Sequence, residues 1–105
     1  MTEIPPEIRT VTAADVLALV EQGWSVLDVR NDDEWADARM AGAVHIPLPE
    51  LPGRLDEVAD RVVCVCAVGG RSARAAGFLN ASGREAVNLD GGIQAWQSAG
   101  APVEH

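Results

Sequence analysis

The run "RVVCVC", Arg61 to Cys66, ends in five consecutive apolar residues and offers no polar face to water. A short continuous apolar run of this kind marks a strand buried on both faces, as in parallel sheets covered by helices. The run stops at "AVGGRS", Ala67 to Ser72, and a helix-like stretch follows. A strand that ends in a glycine-bearing loop and opens a helix is suited to hold an anion. Backbone N–H groups can converge on one point there, and the helix dipole adds positive potential. Gly69 and Gly70 are expected to supply backbone angles that side chains resist. Cys66 stands at the floor of this loop.

The rest of the chain repeats the same alternation. Proline disfavours helix in the residue before it, so "IPPE" near the start reads as an extended lead-in, and Ile8 to Val11 as a short edge strand. Thr12 is a candidate N-cap with Asp15 in the first turn. Ala13, Val16, Leu17 and Val20 then recur at helical spacing up to Gly23. Trp24 to Arg30 reads as a strand, and "NDDEWADARM" as a short helix with acidic residues at its start. Val44 to Ile46 is a short strand. Leu51, Leu55, Val58 and Ala59 suggest a helix that tolerates Pro52 only in its first turn. Ala75, Phe78, Leu79 and Ser82 predict one side of a helix ended by Gly83. "EAVNL" is a further strand, and Gly91 and Gly92 make the turn into a last helix capped near Gly100. About five strand–helix alternations predict an α/β fold, a mainly parallel sheet with helices on both faces. Ligands in such sheets sit beyond the carboxyl ends of the strands, and Cys66 lies at such an end.

Composition narrows the function. A chain of 105 residues is expected to be one domain, 1–105, and 48% apolar content is globular. The net charge is −8 and every cation is an arginine. Nucleic acid and anionic membranes call for a basic surface, so neither is an expected partner. No apolar segment approaches the roughly 20 residues of a membrane helix, and the N-terminus lacks a signal-peptide core. The expected location is the cytoplasm, where thiols stay reduced. Cys64 and Cys66 point to the same strand face and do not form a redox C-x-x-C pair. With His45 and His105 as the only histidines, the ligands for a metal site are too few. No cofactor is called for.

At the focus of the loop a thiol titrates below the ~8.5 of free cysteine and acts as a nucleophile. The contrary reading is a small buried hydrophobe at a strand end. No histidine flanks Cys66 in the sequence to act as general base. The chemistry suited to it is attack by thiolate with departure of a stable anion. Arg71 reads equally as a contact to substrate oxygens or as a strut. Arg74 reads as solvated, His45 as partly buried, Cys64 as core, and Trp24, Trp35 and Trp96 as packing.

"LDVR" followed by "EW", then "AGAVHIPL", "VVCVCAVGGRSARAAGFL" and "VNLDGGIQAWQSAGAPV" resembles the rhodanese-like sulfurtransferases from about Thr12 to Val103. The resemblance implies a single rhodanese-like domain: a five-stranded, mostly parallel sheet flanked by helices. It implies that Cys66 is catalytic and that Ala67, Val68, Gly69, Gly70, Arg71 and Ser72 form the active-site loop, with Asp28 and Arg30 as supporting residues. The implied reaction forms a persulfide on Cys66 from a donor such as thiosulfate. The sulfur then passes to cyanide or a cellular thiol, including a small thiol protein such as thioredoxin. Two other readings share the loop: a low-turnover sulfur carrier or regulatory binding module, and a phosphatase or arsenate reductase. Cell-cycle tyrosine phosphatases, which resemble rhodaneses in fold, have five residues between Cys and Arg, whereas four separate Cys66 from Arg71. The sequence departs from the family in lacking loop cations other than Arg71, with Ala67 and Gly70 in their places, and in having "ARMAGA" where "GHIPGA" is frequent.

Overall fold

In the computed structural model, which describes residues 8–105, the Cys66 strand lies at the centre of the sheet. The elements, in chain order, are β1 (Thr10–Val11), α1 (Ala13–Glu21), β2 (Ser25–Asp28), α2 (Asp32–Asp37), β3 (Arg39–Met40) and β4 (Val44–His45). A 3₁₀ segment (Leu48–Glu57), β5 (Arg61–Val65), α3 (Gly70–Ala81), β6 (Glu85–Leu89), α4 (Gly92–Ser98) and β7 (Val103–Glu104) complete the chain. Five strands pair in the order β1-β6-β5-β2-β4, all parallel. The α/β class is as the strand–helix alternation predicts, and the five-stranded sheet is as the family resemblance implies. The expected lead-in at "IPPE" lies outside the described residues.

β5 shows why its sequence is apolar throughout. Val62, Cys64 and Cys66 pack into one core layer with Ala75, Ala76 and Leu79 of α3 and Leu51 of the 3₁₀ segment. Val63 and Val65 face the opposite layer, with Val16 and Leu19 of α1 and Ile93 and Trp96 of α4. Period-2 side-chain alternation therefore meets an apolar layer on each side.

Thr12 caps α1 as predicted. Its hydroxyl accepts from the Asp15 N–H at 3.3 Å, and the Asp15 carboxylate accepts from the Thr12 N–H at 3.0 Å, a reciprocal capping box. The buried stripe of α1 is Val16 and Leu19, whereas Leu17 and Val20 are exposed. Helical spacing selects a stripe but not its exact orientation, and tertiary packing turned this one by about one position. Phe78 of α3 is likewise exposed; Ala73, Ala75, Ala76 and Leu79 carry the contact.

Two further corrections concern local structure. The helix expected from Leu51 is a 3₁₀ segment starting at Leu48, with Pro52 inside it and a backbone break at Arg54 (φ −128°). A missing N–H and the proline ring obstruct α-helical bonding, and the chain uses tighter turns. Leu51 and Val58 still point inward, while Ala59 is exposed. The antiparallel pair β3–β7 is absent from the sequence reading, because two-residue strands carry no periodic signal. Strand ends differ by a residue or two from expectation.

Candidate active site

β2, β5 and β6 end side by side, and the chain segments leaving them assemble the site. The loop Cys66–Gly69 leads from β5 into α3 and folds back over the end of its own strand. The turn into α4 holds the loop in that shape. The Ile93 N–H donates to the Cys66 carbonyl at 2.8 Å and the Gln94 N–H to the Ala67 carbonyl at 3.3 Å. A trans peptide points its N–H opposite its C=O. Anchoring these two carbonyls to α4 therefore turns the Ala67 and Val68 N–H groups the other way, toward the loop interior.

That anchoring requires glycine at 92. Its φ is +59°, and a Cβ there would meet Ala67 carbonyl atoms at 2.5 Å. Gly69 has φ +112°, in the region glycine adopts without Cβ strain. Gly70 differs from the expectation. It has no left-handed φ and nothing lies within 4 Å of an added Cβ, so it serves as an ordinary, exposed first residue of α3.

Cys66 is 1% exposed. Its sulfur accepts from the Gly69 N–H at 3.0 Å and lies 3.3 Å from the Ser72 hydroxyl. Burial pushes the thiol up. The Ser72 hydroxyl and the N–H groups of Ser72, Gly69 and Val68 oppose it, and together they hold the thiol below its ordinary value. Cys64 has no such cradle; burial, with Cys66 nearby, pushes it up to about 12. The two cysteines of one strand face thus differ by environment alone.

Arg71 sits on the first turn of α3 and points to α2. It forms a bidentate pair with Glu34 at 2.7 and 2.9 Å, so it is a strut rather than a free cation. Glu34 lies at the N-terminus of α2, where its carboxylate also accepts from the Asn31 N–H at 3.0 Å. The Arg71 guanidinium holds the Glu34 carboxyl down at about 2, against the opposing effect of burial.

Asp28 and Arg30 stand one step further back. Both are buried, and Asp28 grips the Arg30 guanidinium at 2.8–3.0 Å. Arg30 then donates to the Ala38 carbonyl at 2.6 Å and the Glu34 carbonyl at 3.3 Å. The pair thereby fastens α2, and through it Glu34, to the end of β2. His45 is half-buried, with Nε2 2.8 Å from the Arg30 carbonyl and its ring stacked on Trp35. Trp24 and Trp96 are core, and Arg74 is exposed. Val68, 62% exposed, forms the crown of the loop.

Glu34, Asn88 and Gly92 were not assigned to the site from sequence. Asn88 is 2% exposed, and its amide oxygen lies 2.5 Å from the Ser72 hydroxyl. A polar residue inside the apolar strand "EAVNL" was the available signal. Glu34 is masked by the other acidic residues of its helix start. Among the described residues, no group of His, Cys, Asp and Glu is arranged to hold a metal ion.

This geometry agrees with a family assignment. The model of the rhodanese-like domain matches residues 12–99. The chain belongs to the rhodanese-like domain family. This rhodanese-like domain is 31% identical over 101 residues to YtwF of Bacillus subtilis, covering 91% of this chain and 97% of the relative. It is 37% identical over 81 residues to a sulfurtransferase of Allochromatium vinosum, covering 74% and 76%. A crystal structure of a rhodanese-related protein from Thermoplasma volcanium superposes with a TM-score of 0.84 at 35% identity, covering 91% and 97%. The chain is thus a rhodanese-type member of a sulfurtransferase family.

Proposed function

We propose that this domain transfers sulfane sulfur through a persulfide on Cys66. The observation that carries the reading is the cradle around the sulfur: N–H groups and a hydroxyl converge on it. Among the described residues, no imidazole or carboxylate hydrogen-bonds to it. A thiolate so held attacks the outer sulfur of a donor such as thiosulfate. The new S–S bond forms as the donor's S–S bond breaks, and sulfite departs with the electron pair. Sulfite is a stable anion and needs no proton to leave. The N–H groups that stabilise the thiolate then stabilise the persulfide anion. Cyanide or a thiol takes the terminal sulfur and regenerates the Cys66 thiolate.

The Glu34–Arg71 pair favours a second reading beside the first, a carrier with slow turnover. An arginine already neutralised by a carboxylate gives little attraction to a dianionic donor. Thiosulfate then loads the site weakly, and a less charged persulfide or a small thiol protein of the reducing cytoplasm is the better exchange partner. A phosphatase ranks below both, because the four-residue spacing closes a smaller ring than the phosphatase loop.

Intact mass after incubation with thiosulfate tests the proposal. The protein gains one sulfur, loses it to dithiothreitol, and gains none as Cys66→Ser. A gain retained in Cys66→Ser overturns it. Steady-state transfer to cyanide separates enzyme from carrier.

A further inference from the structure

Ser72 has one hydroxyl proton and two neighbours placed to receive it. The Cys66 sulfur is 3.3 Å away and the Asn88 amide oxygen 2.5 Å away. A hydroxyl donates one hydrogen bond at a time. While the proton points to Asn88, the sulfur loses this donor. Among the described residues, the Asn88 amide nitrogen donates no hydrogen bond, and it is not one of the fully buried unpaired atoms, so it is not bound in its present orientation. Oxygen and nitrogen of an amide are nearly equal in size, so the turned-over side chain fills the same space. Turned over, the nitrogen donates to the Ser72 oxygen, and the Ser72 proton is free to point at sulfur.

We propose that Asn88 is a positioning residue whose amide orientation decides whether the Ser72 hydroxyl donates to the Cys66 sulfur. With a neutral thiol, Ser72 donates to the amide oxygen. With a thiolate or persulfide anion, the amide turns, donates to Ser72, and Ser72 donates to sulfur. Two hydrogen bonds then run in series toward the charge, and each polarises the other. The fold supports this arrangement. Asn88 on β6 is in register with Cys64 on β5, which places it beside the strand that ends in Cys66. Buried polar side chains are costly without partners, so an asparagine in an apolar strand calls for a role.

The inference rests on the reading of Cys66 as the reacting group. Its test uses no sulfur donor, so its failure is distinguishable from a failure to form the persulfide. The rate of Cys66 alkylation by iodoacetamide, read by mass spectrometry across pH, reports the thiolate midpoint. The other ionisable groups coupled to the sulfur are Cys64 on β5 and Arg71 on α3; Arg71 is paired with Glu34 of α2, and the buried Asp28–Arg30 pair stands at the end of the neighbouring β2. All stay unchanged in the variants.

Asn88→Leu and Asn88→Ala both remove the amide but differ in volume, so whichever folds is read. The expected result is a midpoint raised by about one unit, tenfold in thiolate below the midpoint. Ser72→Ala raises it at least as much. The double variant matches Ser72→Ala alone, because Asn88 acts only through Ser72. A wild-type or a lowered midpoint in the folded Asn88 variants overturns the proposal, a lowered one because Asn88 would then act only as a competing acceptor for the Ser72 proton. So does a double variant whose shift is the sum of the two single shifts.

Discussion

Glu34 and Arg71, 37 residues apart in sequence, close a two-pronged ion pair across the candidate active site. The pair ties α2 to the first turn of α3 and occupies the loop's only arginine. Glu34→Gln is expected to lower the KM for thiosulfate by roughly threefold to tenfold, on the order of 1 kcal/mol at an exposed pocket mouth. The effect should shrink at high salt. An unchanged KM at both salt levels would mean that Arg71 does not reach the donor.

The same pair makes a pH-dependent contribution to stability. The folded-state pKa of Glu34 is about 2, below its ordinary 4.5. A depressed carboxylate stabilises the fold above its unfolded value and loses that contribution as pH falls through the folded value. The advantage of wild type over Glu34→Gln is therefore full above pH ~5 and fades toward pH ~2. Both side chains are about one-third exposed, which limits the contribution to about 1 kcal/mol or less. Urea melts of the two proteins at pH 6 and pH 3 measure it.

Gly70→Arg adds a cation at the loop. Gly70 has ordinary backbone angles and open space around it, so the substitution is expected to fold. Thiosulfate KM should fall and become salt-sensitive. Ala67→Arg is the harsher change, because Ala67 is half-buried and its carbonyl is engaged by α4. A folded Gly70→Arg with wild-type KM at low salt would show that the first turn of α3 does not face the donor.

Cys64 is expected to be inert at neutral pH, since burial pushes it up to about 12. Folded Cys64→Ser keeps sulfur transfer per molecule but costs roughly 1–3 kcal/mol, because its hydroxyl is buried without an assured partner. Activity lost in a folded Cys64→Ser protein would point to a two-thiol mechanism.

Gly92→Ala should be the most damaging of the glycine substitutions. Its Cβ meets the Ala67 carbonyl at 2.5 Å, at a left-handed φ. The α4 turn must withdraw from the loop, costing on the order of 3 kcal/mol, and sulfur loading should drop with it. Gly53→Ala, with open space and no left-handed φ, is the control and should stay within about 0.5 kcal/mol of wild type. Equal melting temperatures for the two variants would remove the structural role given to Gly92.

Local pattern was enough for the parts of the molecule that local physics decides. The apolar run before Cys66 requires a strand covered on both faces, and it lies at the centre of the parallel sheet. Thr12 and Asp15 cap a helix because their partners are three residues away. The glycine loop before a helix marks Cys66 as the candidate, since the N–H groups that cradle it come from the next few residues. Tertiary structure decided what depends on residues distant in the chain. Whether Arg71 is a strut or a free cation turned on Glu34, 37 positions away. The role of Asn88 turned on Ser72, 16 positions away. Gly92 reads as an ordinary turn glycine until the Cys66 loop is packed against it. A hydrogen bond or a steric contact depends on distance in space, and only the folded chain brings these residues within reach of one another.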